Sequence, residues 1–185
     1  GTDHGKRAEE TADSLFRAGG LREVAYFPFQ APAWQRRSVS VSITGMNDTV
    51  AAYASVALAM TPDSARITAP IVDVGNGLAL DFDRVRKEVL GKVALMNLQL
   101  IDAPEGSDNL HRSEKTALAI RHGASGVLFI NNVDGHVLLT GTASVSREPI
   151  GIPAACISKE DGVDLRGWLS RDTSLRAAID MLNRN

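Results

Sequence analysis

"GKVALMNLQL IDAPEGSDNL HRSEKTALAI RHGASGVLFI NN", residues 91–132, reads as strand, helix, strand, with glycines at the turns. Gly91 and Lys92 open the apolar run Val93, Ala94, Leu95, Met96. A polar loop and a helical segment over 109–122 follow, on which Leu110, Ala117 and Ile120 lie near one face. Gly123 stops that helix, because glycine enters the left-handed region without steric penalty. The sequence Gly123, Ala124, Ser125, Gly126 then leads into a second apolar run, Val127, Leu128, Phe129, Ile130. Glycines between a strand and a helix often cradle phosphate, but that site needs strand before helix N-terminus, where free N–H groups point at the anion. Here the glycines follow a helix and precede a strand. Backbone geometry explains them better than nucleotide binding does.

Working outward, residues 5–20 read as a helix with Ala8, Ala12, Leu15 and Phe16 on one face and Gly19, Gly20 as its stop. The stretch 22–29 reads as a strand ended by Pro28. Residues 37–45 alternate strictly, with Val39, Val41 and Ile43 opposite Ser38, Ser40 and Ser42, which is a half-buried strand. Residues 48–60 are ambiguous: alanine favours helix, Val and Tyr favour strand. Residues 69–77 read as a strand and a glycine turn, followed by Asp81, Phe82, Asp83 in a polar loop. Residues 136–141 are expected to pair with 127–130 as a hairpin, with Asp134 and Gly135 at the turn. Ser158 caps a helix, with Asp161 three residues on, and Leu165, Trp168 and Leu169 form its apolar face. The tail alternates at Leu175, Ala177, Ile179 and Met181, and reads as a strand.

Bulk composition excludes several classes. The chain has 185 residues, 44% hydrophobic and 23% charged, with net charge −2: enough for one sizeable core, with no basic excess for nucleic acid or an anionic membrane. Aromatics at 5% argue against a base-stacking platform. No run of about 18 apolar residues exists to span a membrane. No leader is visible, and since the chain starts without methionine that absence is uninformative.

Chemistry is scarce. The single cysteine, Cys156, lies in an apolar run and reads as a buried core residue. The histidines His4, His111, His122 and His136 include no pair four apart; His111 and His122 are eleven apart, about three helical turns, too far to share an ion. Asp73, Asp81 and Asp83 lack the spaced oxygens of an EF-hand and read as solvated. Ser125 is not in a Gly-x-Ser-x-Gly elbow and has no visible base. Asn47, Asp48, Thr49 fits the glycosylation pattern weakly. From the residues alone, this is an α+β domain with no visible active site.

The motifs carry a resemblance. Gly91 to Leu95, Lys115 in the helix, His122 to Asn132, then Ile152, Pro153, Ala154 and Ile157 to Gly162 together resemble a protease-associated (PA) domain over roughly residues 69–170. That family shows a "GKI-V" strand, a helix with a lysine, "GA-GVI-YN" and "IP-V-IS--DG--L". Phe129 stands in for the usual aromatic, and residues 97–109, "NLQLIDAPEGSDN", replace the usual basic, glycine-rich loop. Gly1, Thr2, the Ala8, Glu9, Glu10 stretch and Phe16 to Leu21 resemble the opening of zinc aminopeptidases of the aminopeptidase-Y and glutamate-carboxypeptidase kind.

The resemblance implies a mixed β-sheet or open barrel with flanking helices, of the swivelling β/β/α type. It implies three parts: 1–35, a helix and strand of the parent peptidase scaffold; 36–170, the PA domain; and 171–185, a strand returning toward a missing catalytic domain. Gly91, Lys92, Lys115, Gly123, Gly126 and Pro153 are its structural motif residues. No catalytic or metal-ligating residue is assigned, zinc being expected only in the missing catalytic domain, and no residue is assigned to partner contact. The implied role is to cover or shape a substrate cleft and to contact peptides or proteins; the alternative is a cargo- or ligand-binding PA module of a receptor, which has no need of the N-terminal helix. The implied partners are the parent's catalytic domain and a peptide or protein substrate, and the implied location is periplasmic or secreted.

Overall fold

A computed structural model describes residues 3–30, 33–45, 50–146 and 148–184. Gly1 and Thr2 of the opening motif and the Asn47, Asp48, Thr49 pattern lie outside the described residues. The chain divides into two compact units, Gly1–Ala33 and Trp34–Asn185.

The first unit is built on α1 (Asp3–Ala18). Its end is the glycine stop expected from the sequence. Gly20 takes φ +88°, Leu21 N–H reaches back to Phe16 O at 3.1 Å and Gly20 N–H to Arg17 O at 3.0 Å, the paired bonds of a Schellman cap. The strand expected at 22–29 is not formed. A strand needs a neighbour to take its N–H and C=O groups, and among the described residues of this unit none is present. The segment is tied instead to the helix by Arg17 Nη2–H to Val24 O (3.0 Å) and Tyr26 O–H to Glu9 O (3.4 Å). Leu15, Phe16, Tyr26, Phe27 and Phe29 are all exposed.

The second unit is a mixed sheet. Its strands are β1 (Gln35–Thr44), β2 (Val50–Tyr53), β3 (Ser55–Ala57), β4 (Ser64–Asp73), β5 (Val93–Asn97), β6 (Gly126–Ile130), β7 (Ala154–Ile157) and β8 (Arg176–Arg184), in the order β2-β1-β8-β4-β5-β6-β7-β3. The helices are α2 (Ala79–Arg84), α3 (Arg112–Arg121) and α4 (Lys159–Leu169). β4, β5, β6 and β7 run parallel to one another, while β8 on one flank and β3 on the other are antiparallel to them. The ambiguous segment 48–60 resolves as two strands. β2 pairs with β1, then after Ala54 alone the chain switches to pair β3 with β7. The two ends of the strand order are thus covalently joined, which turns the sheet back on itself, and Arg36 Nε–H of β1 donates to Ala57 O of β3 at 2.8 Å.

Side-chain alternation sorts the apolar runs into two cores. Val93, Leu95, Leu128, Ile130, Ala155 and Ile157 point to one, with Val41, Ile43, Ile179 and Leu165. Ala94, Met96, Val127, Phe129, Ala154 and Cys156 point to the other, with Phe82 and Val89. Continuous apolar runs are required here because β5, β6 and β7 are buried on both faces.

Two further expectations are corrected, and the tail strand is found. Residues 136–141 form no strand: β6 already has β5 on one edge and β7 on the other, so no edge is free for a hairpin. Asp81 and Asp83 lie in α2 and not in a loop, because Phe82 between them is fully buried and anchors the turn. The tail strand is present as β8, but it lies inside the sheet, paired with β1 on one side and β4 on the other. Residues 171–185 therefore belong to the same compact unit as 36–170.

Gly123 takes φ +79°, with its N–H on Ile120 O and Ala124 N–H on Ala119 O, and its carbonyl accepts from Gly91 N–H at 2.8 Å. A Cβ there would lie 2.6 Å from Leu90 Cδ1, but Leu90 is 77% exposed and can move aside. The backbone penalty remains. Gly123→Ala is expected to cost about 1–2 kcal/mol, read as a lower thermal midpoint; an unchanged midpoint would contradict a forced left-handed turn.

Candidate binding cleft

The parallel strands end in a row at Asp73, Asn97, Ile130 and Ile157. In open sheets of this kind ligands bind beyond the carboxyl ends of the strands, and the described residues form an open cleft of about 460 Å³ there. Its floor is a polar network. Arg166 of α4 grips Asp73 at both carboxylate oxygens, Nε–H at 2.8 Å and Nη2–H at 3.0 Å. Its Nη1–H donates to Asn97 Oδ1 at 2.7 Å. Asn97 Nδ2–H in turn donates to Asn76 Oδ1 at 2.8 Å. The Asn76 side chain then clamps Ile101, accepting from its N–H and donating to its carbonyl, both at 2.9 Å. Two strand ends, the glycine turn 75–77, the loop after β5 and α4 are locked together in this way. Gly77 makes the turn possible: it takes φ +70°, and a Cβ would sit 2.8 Å from Met96 Sδ and 3.2 Å from Lys115 Cδ.

Lys115 lies beneath the same network. α3 starts at Arg112, capped by His111, whose Nδ1 accepts from Ser113 N–H, while Glu114 Oε2 accepts from His111 N–H at 2.8 Å. That start places Lys115 fully inside, its Nζ donating to Asn97 O at 2.9 Å and Leu98 O at 3.2 Å. Burial pulls its pKa down to about 8, against a weaker opposing pull from the Asp81 carboxylate.

The other motif residues gather at the opposite ends of the strands. Gly91 takes φ +72°, and Lys92 O accepts from Ser125 N–H at 2.8 Å. Pro153 O accepts from Val127 N–H at 2.9 Å, and a Cβ on Gly126 would lie 2.7 Å from Ile67 Cδ1 and 3.4 Å from Pro153 Cγ. Gly91, Lys92, Gly123, Gly126 and Pro153 thus build the N-terminal ends of β5, β6 and β7, and Lys115 alone lies at the cleft end, buried beneath its floor on the Asn97 and Leu98 carbonyls. Asn76, Asn97 and Arg166 carried no signal in sequence, being isolated polar residues 21 to 93 positions from their partners.

Several of the remaining candidates have structural partners. Ser125 Oγ–H donates to Gly91 O at 3.2 Å. Cys156 is buried in β7, which pushes its thiol up to about 11. Asp73 is held by Arg166 and Asp81 by Arg84 at 2.6 Å. His122 stacks on Phe82 with ring centres 5.1 Å apart. Glu160 accepts from Gly135 N–H (2.7 Å) and His136 N–H (3.1 Å), bonds that hold its carboxyl below the usual range. Ser158 Oγ, 3.4 Å from His136 Nδ1, accepts from Asp161 N–H to cap α4. The cluster clasps the 134–136 turn to α4 and presents no nucleophile with a separately oriented base. Among the described residues, no three His, Cys, Asp or Glu side chains gather where they could hold a metal ion, and no helix is long and apolar enough to cross a membrane.

Comparison with known proteins agrees with this architecture. The chain is 30% identical over 119 residues to aminopeptidase YwaD of Bacillus subtilis (strain 168), a match covering 64% of this chain and 23% of that protein. Its fold is similar to an aminopeptidase from Aneurinibacillus sp. strain AM-1 (TM-score 0.71, 24% identity, all of this chain and 40% of that one). It is also similar to a peptidase M28 precursor from Shewanella amazonensis SB2B (TM-score 0.73, 19% identity, all of this chain and 43% of that one). A third likeness is to BSAP, a zinc aminopeptidase from Bacillus subtilis (TM-score 0.61, 21% identity, 98% of this chain and 38% of that one). The chain therefore spans well under half the length of these relatives. The profile of the family described as PA domain matches residues 67–165, more than half of the chain and close to the span expected from its motifs: the chain belongs to the PA domain family.

Proposed function

We propose that this chain is the non-catalytic PA portion of a zinc-dependent aminopeptidase, exported from the cytoplasm. It covers or shapes the substrate cleft of that enzyme's catalytic domain and contacts peptide or protein substrates. The observation that carries this reading is the fold likeness, which takes in all of this chain but only about 40% of the aminopeptidase from Aneurinibacillus. The exposed Leu15, Phe16, Tyr26, Phe27 and Phe29 support it, since an apolar surface of that size on a small unit marks a contact with further protein. In this reading residues 1–35 belong to the catalytic scaffold and the end of β8 leads back to it.

The purified chain is expected to release nothing from leucine or alanine anilides, with or without added zinc. Zinc-dependent release would end the non-catalytic reading. In the protein that includes the catalytic domain, excising residues 34–185 is expected to raise KM for peptides of several residues more than for leucine anilide. Equal effects on both substrates would remove the cleft-shaping role.

A further inference from the structure

We propose that the cleft beyond β4 and β5 takes an extended peptide segment with an aliphatic side chain beside a cationic one. This rests on the reading of the domain as a peptide-contacting module and names the chemistry of the contact. The walls are apolar and open: Leu80 is 76% exposed, Ile101 is 40% exposed, and Leu78, Ala103 and Pro104 continue the surface. Such walls with a few fixed polar groups suit an aliphatic side chain and its flanking backbone.

The charges favour a cation. The two arginines lining the cleft are committed internally, Arg166 to Asp73 and Arg84 to Asp81. Asp102, also in the lining, has no hydrogen bond or ion pair with the described residues. The loop it sits in, residues 98–111, adds Glu105 and Asp108 and contains no lysine or arginine. Asp102 is not on a freely moving tether either, because its neighbour Ile101 is clamped through both backbone groups by Asn76, which Asn97 and Arg166 hold in turn. Aliphatic burial supplies the affinity and the exposed carboxylate sets the preference. A solvent-exposed pair of this kind discriminates by about three- to fivefold.

The test is an amide-shift titration of the chain by NMR with two probes, acetyl-Gly-Leu-Lys-Leu-Gly-amide and its Lys-to-Glu counterpart. The lysine peptide is expected to shift amides at 76–80 and 101–107 and to bind about three- to fivefold more tightly than the glutamate peptide, with the difference shrinking in high salt. Asp102→Asn is expected to abolish the preference, and Leu80→Ser to weaken both peptides. Both changes are on exposed side chains and leave the core intact. Equal shifts at the cleft from both peptides would overturn the charge preference while leaving the peptide-contact reading standing. No shift there from either peptide at about 5 mM, or shifts confined to other surfaces, would overturn both.

Discussion

Replacing Gly162 with alanine is expected to destabilise the chain by about 2 kcal/mol, even though alanine is the better helix former by about 1 kcal/mol. A Cβ at this position of α4 would lie 2.2 Å from Ile130 Cγ2, 2.7 Å from Cγ1 and 2.9 Å from Cδ1. Ile130 has no room to yield: it is 2% exposed, in a strand held between β5 and β7. α4 must then lift off the sheet, drawing Leu165 and the adjoining Trp168 and Leu169 out of the core they pack against. Overpacking of a fixed core costs about 1–3 kcal/mol, and for a chain of this size each kcal/mol lowers the melting midpoint by about 2–4 °C. Gly162→Val is expected to cost more. Gly167, on the same helix with nothing within 4 Å of its Cβ position, supplies the control: Gly167→Ala is expected to be neutral or stabilising. Adding Ile130→Ala to Gly162→Ala is expected to give less than the sum of the single losses. Equal midpoints for the Gly162→Ala variant and the parent would show that the helix and sheet are less closely packed than these distances require.

The second large effect is on pH dependence, and Lys115 carries it. Its pKa falls from 10.5 in the unfolded chain to about 8 in the folded one. Between those values the unfolded state holds a proton that the folded state has released. Stability therefore rises with pH across the window: the burial penalty is complete below about pH 8 and gone by about 10.5. The full span corresponds to about 3 kcal/mol, of which about 1 kcal/mol is gained between pH 8 and 9. Two groups act in the opposite sense. Burial pushes the Cys156 thiol from 9.0 to about 11 and the Tyr53 hydroxyl from 10.0 to about 12, so their stabilisation is lost as pH rises above 9 and 10 respectively. The range from pH 8 to 9 isolates Lys115 best. Denaturant unfolding across it should show the parent gaining stability and Lys115→Met staying flat. Lys115→Ala, which adds a cavity and leaves the Asn97 and Leu98 carbonyls without their donor, is expected to lose about 2–4 kcal/mol at neutral pH. A parent curve as flat as that of Lys115→Met would mean the amine is solvated.

Much of the fold was written locally. The paired bonds that end α1 and α3 join residues at most five apart and need only a glycine able to take positive φ, so Gly20 and Gly123 were legible as stops. The Ser158 cap works over three residues, and the alternation of Val39, Val41 and Ile43 is a property of the strand itself. The continuous apolar runs at 93–96 and 127–130 announced strands buried on both faces, and the motif residues clustered at one end of those strands were recognisable through the resemblance to the PA family. Sequence alone thus determined the family, the α+β class and most element positions. What it misplaced depended on partners. Residues 22–29 have strand-like composition but find no strand to pair with among the described residues of their unit, and 136–141 resemble a hairpin arm but meet a β6 whose edges are both taken. The cleft was invisible for the same reason. Arg166 meets Asp73 across 93 residues and Asn97 across 69, and Asn76 meets Ile101 across 25. Caps and periodicity act within a turn or two of chain, whereas a polar network at the ends of parallel strands exists only once the crossovers have brought those ends side by side, and that placement belongs to the tertiary structure.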